Sequence, residues 1–186
     1  DMGDLVYLAI ISNPNLTKDQ KAREKEYKEY VDEHVSNVKT AWELMKSSTD
    51  TMNYINSIDD SVSIIVDNLI SAHDMSKYGI DEWEPYRKNF YPIDEDEKEE
   101  NISDFEKAWE HHYMNNLHHW DYWARTNSID RMPFEFVIEM CCDWIAMSIK
   151  FGGTAYSWYK KQKDIVLGKK QKEWLENILK KFYNIK

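Results

Sequence analysis

Cysteine, glycine and proline are all scarce in this chain of 186 residues, which has two, five and four of them. The two cysteines are neighbours, Cys141 and Cys142, and a bond between adjacent residues is strained. They therefore make neither a disulfide framework nor a cysteine-based zinc site, and read as small core residues of a reducing, cytoplasmic compartment. So few glycines and prolines disfavour a turn-rich all-β fold. Long apolar runs are missing: Leu5 to Ile11 is too short to span a bilayer and lacks a basic flank, so no membrane association is expected. Positive charge is short as well. A net charge of −10 argues against a duplex nucleic acid as partner and suits a carrier of divalent cations. No internal repeat or low-complexity linker is visible, and the opening residue, Asp1 rather than Met, suggests missing or tag-derived residues.

What the chain has is apolar and aromatic mass: 42% hydrophobic residues, with eight Trp, twelve Tyr and eight Met. That is enough for a real core in one domain. The spacing predicts an all-α bundle of about five to seven helices, with a core over 18–151 and amphipathic helices over 154–184. A short helix over 4–14 ends at Pro14. Thr17-x-x-Gln20 then forms a capping box for a long helix over 18–47, with the apolar stripe Tyr27, Val31, Val35, Val38, Trp42 and Met45 and with His34 on its flank. Ser47 to Asn53 reads as a polar break, and Asp59 or Asp60 opens the next helix. Residues 81–92 read as a short helix and loop, and the acidic run 94–100 as a solvated loop. Ser103-x-x-Glu106 caps a helix to about Trp123; Pro133 opens another, Phe134 to Phe151, which Gly152-Gly153 ends. Helices over 155–163 and 169–183 follow.

The organising stretch is 62–77, Val-Ser-Ile-Ile-Val-Asp-Asn-Leu-Ile-Ser-Ala-His-Asp-Met-Ser-Lys. Read as one helix at ~100° per residue, it puts Val66, His73 and Lys77 within roughly 20° of one another on the core side. An imidazole, a carboxylate (Asp74) and an ammonium buried together cost several kcal/mol unless paired or bound to metal. The six histidines fall at 34, 73, 111, 112, 118 and 119, none of them in the tail helices. With Asp74 and Asp143 they supply one group per long helix, which a four-helix core can point at one spot. On a continuous helix over 103–123, His112 and His119 share the inward edge and His111 and His118 point outward; a modest rotation exchanges the pairs. Imidazole and carboxylate ligands suit Mn, Fe, Co, Ni or Zn.

The order His, His-Asp, distant Asp resembles the HD superfamily of helical metal-dependent phosphohydrolases, over roughly residues 27–150. The phrases His73-Asp74-x-Ser76-Lys77-Tyr78, His111-x-x-x-Asn115-x-x-His118-His119-Trp120 and Glu139-Met140-x-x-Asp143-Trp144 are similar to those of bacterial and phage HD-like proteins with no assigned activity. The resemblance implies His34, His73, Asp74 and Asp143 as metal ligands and gives His112 and His119 to a second ion, with Asp74 bridging the two. Glu139 would orient a ligand, act as a base, or be a salt-bridged surface residue. Asp81 would be a catalytic acid or a helix N-cap. The implied reaction is hydrolysis of a nucleotide or related phosphate ester by metal-activated water, with Asp74 in the catalytic set and Lys77 on the phosphoryl oxygens. Arg87 and Lys88 could hold further phosphate or be plain surface charges. Trp83, Tyr86, Phe90 and Trp120 could stack a base or simply pack. The other expectations are a di-iron oxygenase of the same fold and a non-catalytic binding protein for a nucleotide or a host protein. A homo-oligomer is left open.

Overall fold

The computed structural model describes residues 2–182; the expected run of the last helix to 183 and beyond ends outside the described residues. These residues are all-helical, with no strand among them. Eleven α-helices are present among the described residues, more than the five to seven expected: α1 Met2–Ile11, α2 Lys18–Ser47, α3 Thr49–Ile58, α4 Val62–Ser71, α5 Trp83–Phe90, α6 Glu95–Glu100, α7 Ile102–Asn115, α8 Trp120–Arg125, α9 Phe134–Phe151, α10 Ala155–Lys161 and α11 Lys169–Leu179. No helix of the described residues is long and apolar enough to cross a membrane. The chain divides into two compact units.

The first unit runs to Glu33 and resumes over Asp74–Asn116. It holds α1, the first half of α2, a 3₁₀ turn at Met75–Tyr78, and α5 to α7. The capping box that opens α2 forms as expected: Thr17 N–H donates to Gln20 Oε1 at 2.8 Å, and Gln20 N–H donates to Thr17 Oγ1 at 3.1 Å. Tyr27, Val31, Trp83 and Tyr86 are buried here. So is Glu24, which accepts from Trp83 Nε1 at 2.6 Å and from Arg87 Nε at 3.1 Å. The acidic run expected as a loop folds into α6, because the Asp94 side chain caps it by accepting from Glu97 N–H. α7 begins at Ile102 with Asn101 at its cap, so Ser103 and Glu106 lie within the helix and not at its start.

The second unit comprises His34–His73 and the chain from Leu117 on. Here α9 is the hub. Its Val137, Ile138, Met140, Cys141, Cys142, Ile145 and Ala146 are buried in one cluster with Val62, Val66 and Ile70 of α4, Leu175, Ile178 and Leu179 of α11, and Val38, Ala41, Trp42 and Met45 of α2. Cys141 and Cys142 are free thiols in that core, as their small apolar character suggests. The polar stretch 47–53 breaks the chain only at Ser48, which caps α3 by accepting from Thr51 N–H. α9 stops at Gly152, whose φ of 83° and ψ of 178° only glycine adopts readily.

Candidate metal centre

In the second unit, α2, the end of α4, the segment ahead of α8, and α9 bring His34, His73, His118, Glu139 and Asp143 together. Glu139 is buried and receives two imidazoles at one oxygen, His73 Nδ1 at 2.9 Å and His118 Nδ1 at 3.3 Å from Oε1. Burial alone would raise its carboxyl, but the contacts from His118 and His73 outweigh that and hold it down at about 2. An ionised carboxylate only accepts, so both Nδ1 atoms act as donors and each neutral ring keeps its lone pair on Nε2. Those Nε2 atoms face Asp143, at 3.9 Å for His73 and 3.8 Å for His118, and His34 Nε2 lies 3.0 Å from the same carboxylate. The Asp143 carboxyl is well below the usual carboxylate range: burial pushes it up, and the His34 contact with the fields of His34, His73 and His118 pulls it further down.

A lone pair aimed at a carboxylate is repulsive unless a proton or a cation lies between them. His73, His118 and Asp143 each offer an atom within 4.8 Å of the others, and such a group could hold a metal ion. Ligands ~2.0–2.2 Å from one ion are themselves about 3–4 Å apart, the spacing seen around Asp143. Glu139 has the place of the carboxylate that fixes the tautomer and tilt of metal-binding histidines.

The two halves of the His-Asp pair part company. α4 ends at Ser71, and Asp74 sits in the left-handed region at φ 56° and ψ 21°, so the expected helix over 62–77 does not form. His73 and Lys77 therefore share no helical face. An Asp tolerates that backbone because its short polar side chain bonds locally. In the first unit Asp74 Oδ2 is 2.7 Å from Lys77 Nζ, and Asp74 Oδ1 is 3.3 Å from His112 Nε2. Glu82, fully buried, lies 2.7 Å from both His111 Nδ1 and His112 Nδ1. Burial would raise the Glu82 carboxyl; bonds from His112 and His111 win and lower it. Each unit thus contains one buried glutamate shared by two imidazoles. Nothing in the sequence singled out Glu82.

The remaining expectations fall as follows. His118 was expected to face outward on a continuous helix, and this is corrected: Asn116, with φ −127° and ψ 92°, ends α7 and leaves His118 buried ahead of α8. Its signal was the Asn115-Asn116 pair, poor helix formers next to each other. His119 is half-buried, its ring 4.2 Å from that of His118. Asp81 caps nothing, since Glu82 occupies the cap position of α5; the Asp81 side chain is exposed, 3.5 Å from His111 Nε2. Arg87 is buried, with both terminal nitrogens on Glu97 at 2.8 and 2.9 Å, and Lys88 pairs with Glu84 at 2.6 Å.

A family model described as "Family of unknown function (DUF5662)" matches residues 23–181. The chain belongs to that family. The match takes in every histidine and both glutamates described above and leaves α1 outside it. No curated protein and no solved structure matches the chain.

Proposed function

We propose that the protein is a metal-dependent phosphohydrolase of HD type, acting on a nucleotide or related phosphate ester. The observation that carries the metal is the shared Glu139: one carboxylate fixes two imidazoles so that their Nε2 atoms turn towards Asp143. His34, His73, His118 and Asp143 form the ligand set, three nitrogens and one carboxylate, which suits Mn, Fe, Co, Ni or Zn. Glu139 is a positioning residue that keeps the Nε2 lone pairs available. A divalent ion held there lowers the pKa of bound water towards neutrality and so supplies hydroxide.

The reaction class rests on the HD-like pattern, since ligands alone do not specify a reaction. Lys77 is the group proposed for charge on the phosphoryl oxygens, a role in which a preorganised ammonium favours the transition state. Its pairing with Asp74 at 2.7 Å fixes the ammonium's position. Arg87 and Lys88 already have carboxylate partners within the first unit and carry no part of this reading.

The test is a hydrolysis screen over nucleotides and simple phosphate monoesters with Mn²⁺, Co²⁺ and Mg²⁺. Turnover that chelator abolishes and metal restores is the expected result. Lys77→Met should keep fold and metal and lose roughly 10²–10³-fold in turnover, the scale of one charge-stabilising donor. Near-normal turnover in that variant, with metal retained, removes Lys77 from the mechanism.

A further inference from the structure

Two phenols buried in the first unit have hydroxyls without a hydrogen-bond partner: Tyr27, 0% exposed, and Tyr86, 4% exposed. A buried hydroxyl is costly when nothing accepts its proton, and such groups mark places where another acceptor belongs. Neither ring can swing out to water. Tyr27 stands edge-on to Trp83 at 5.0 Å, and Tyr86 is held by Phe105 at 5.1 Å and by the His112 ring at 5.7 Å. Lys77 Nζ lies 5.8 Å from the Tyr86 ring centre.

The carboxylates of this unit do not take the two protons. Asp74 is engaged by Lys77 and faces His112, and Glu82 is shared by His111 and His112. Burial, with the fields of Glu82 and Asp74, pushes both phenols well above their ordinary range, so they stay protonated and can only gain by donating. The neighbourhood therefore offers two fixed O–H donors and one ammonium, and lacks an acceptor. Ser76, Lys77 and Asn116 are half-buried while Asp74, Glu82 and His112 are fully buried, which marks the side from which a ligand enters.

We propose that Tyr27, Tyr86 and Lys77 form an oxyanion pocket that takes a phosphoryl group, the two phenols donating to its oxygens and the ammonium balancing its charge. This rests on the phosphate-ester reading above and names the substrate's anchoring donors, two of which sequence spacing did not point to. A phosphate oxygen is a strong acceptor with several lone pairs, so it satisfies both phenols at once.

The test titrates inorganic phosphate and phenyl phosphate into the wild type, Tyr86→Phe and Tyr27→Phe, with metal content and melting temperature recorded on the same preparations. Either anion should bind the wild type, and each Phe variant should weaken it by roughly 10-fold or more, the loss of one hydrogen bond to a charged group. Without added anion, each variant should melt no lower than the wild type, because the hydroxyl it removes had no acceptor. Binding of phosphate but not its ester assigns the pocket to the free ion; binding of both assigns it to the phosphoryl group of an ester. Wild-type affinity in both variants, no binding to the wild type, or lower melting of both variants without anion overturns the proposal. A preparation that binds phosphate but takes up no metal overturns the metal centre and leaves this pocket standing.

Discussion

At the residue scale, Glu139 and Asp74 are informative for opposite reasons. Glu139 sets the direction of two imidazoles by taking both Nδ1 contacts, so its replacement should act on metal affinity more than on folding. Glu139→Gln should weaken metal binding about 10–100-fold, read by calorimetric titration of the metal-free protein, while the helical circular dichroism stays as in the wild type. Unchanged affinity would remove Glu139 from the site. Asp74 works through its backbone, since it is one of only two non-glycine residues with positive φ among the described residues. Asn visits the left-handed region more readily than Ala, which pays about 1 kcal/mol or more there. Asp74→Ala should therefore be less stable than Asp74→Asn by about that amount in urea unfolding, the two variants being alike in losing the charge that Lys77 neutralises.

At the element scale, the long helices were legible and their interruptions were not. α2 and α9 form as the apolar stripes require, because a 3.6-residue period and capping chemistry are local properties that tertiary contacts reinforce. The stretch 62–77 has the same period, yet its helix stops at Ser71. Periodicity cannot register a single residue turning into the left-handed region, and the same holds for the break at Asn116 that turns His118 inward. His34, His73 and Asp143 were legible as candidates from residue type and order; Glu82, Tyr27 and Tyr86 as polar partners were not, because only packing reveals who receives a buried proton. The ties among short elements make their own prediction. Arg87 joins α5 to α2 through Glu24 and to α6 through Glu97. Burial would raise the Glu97 carboxyl, yet Arg87 and the Ile93 N–H hold it below its ordinary 4.5. A depressed native pKa contributes stability above the unfolded value, and that contribution is lost as pH falls through the native value. Between about pH 5 and 3, Glu97→Gln should lose less stability than the wild type, as shown by urea midpoints at each pH. Parallel curves would mean that the pair is not coupled to folding.

At the scale of the whole molecule, the net charge of −10 and the helical fold place no constraint on the reaction, whereas a metal held by side chains far apart in the chain constrains stability. His34, His73, His118 and Asp143 come from four separate stretches of the second unit, so an ion bound to them favours the folded chain by mass action. Added Mn²⁺ or Zn²⁺ should raise the melting temperature, chelator should lower it, and Asp143→Ala should abolish the difference; a melting curve indifferent to both additions would deny the ion any part in stability. The most direct measurement is elemental analysis of the purified wild type, His118→Ala and Asp143→Ala after loading with Mn²⁺ or Zn²⁺ and removal of the excess. The wild type should retain a divalent ion in stoichiometric amount, and both variants should lose it with their helical content intact. A wild type that retains no metal, or variants that retain as much as it does, would contradict a metal centre built on these residues.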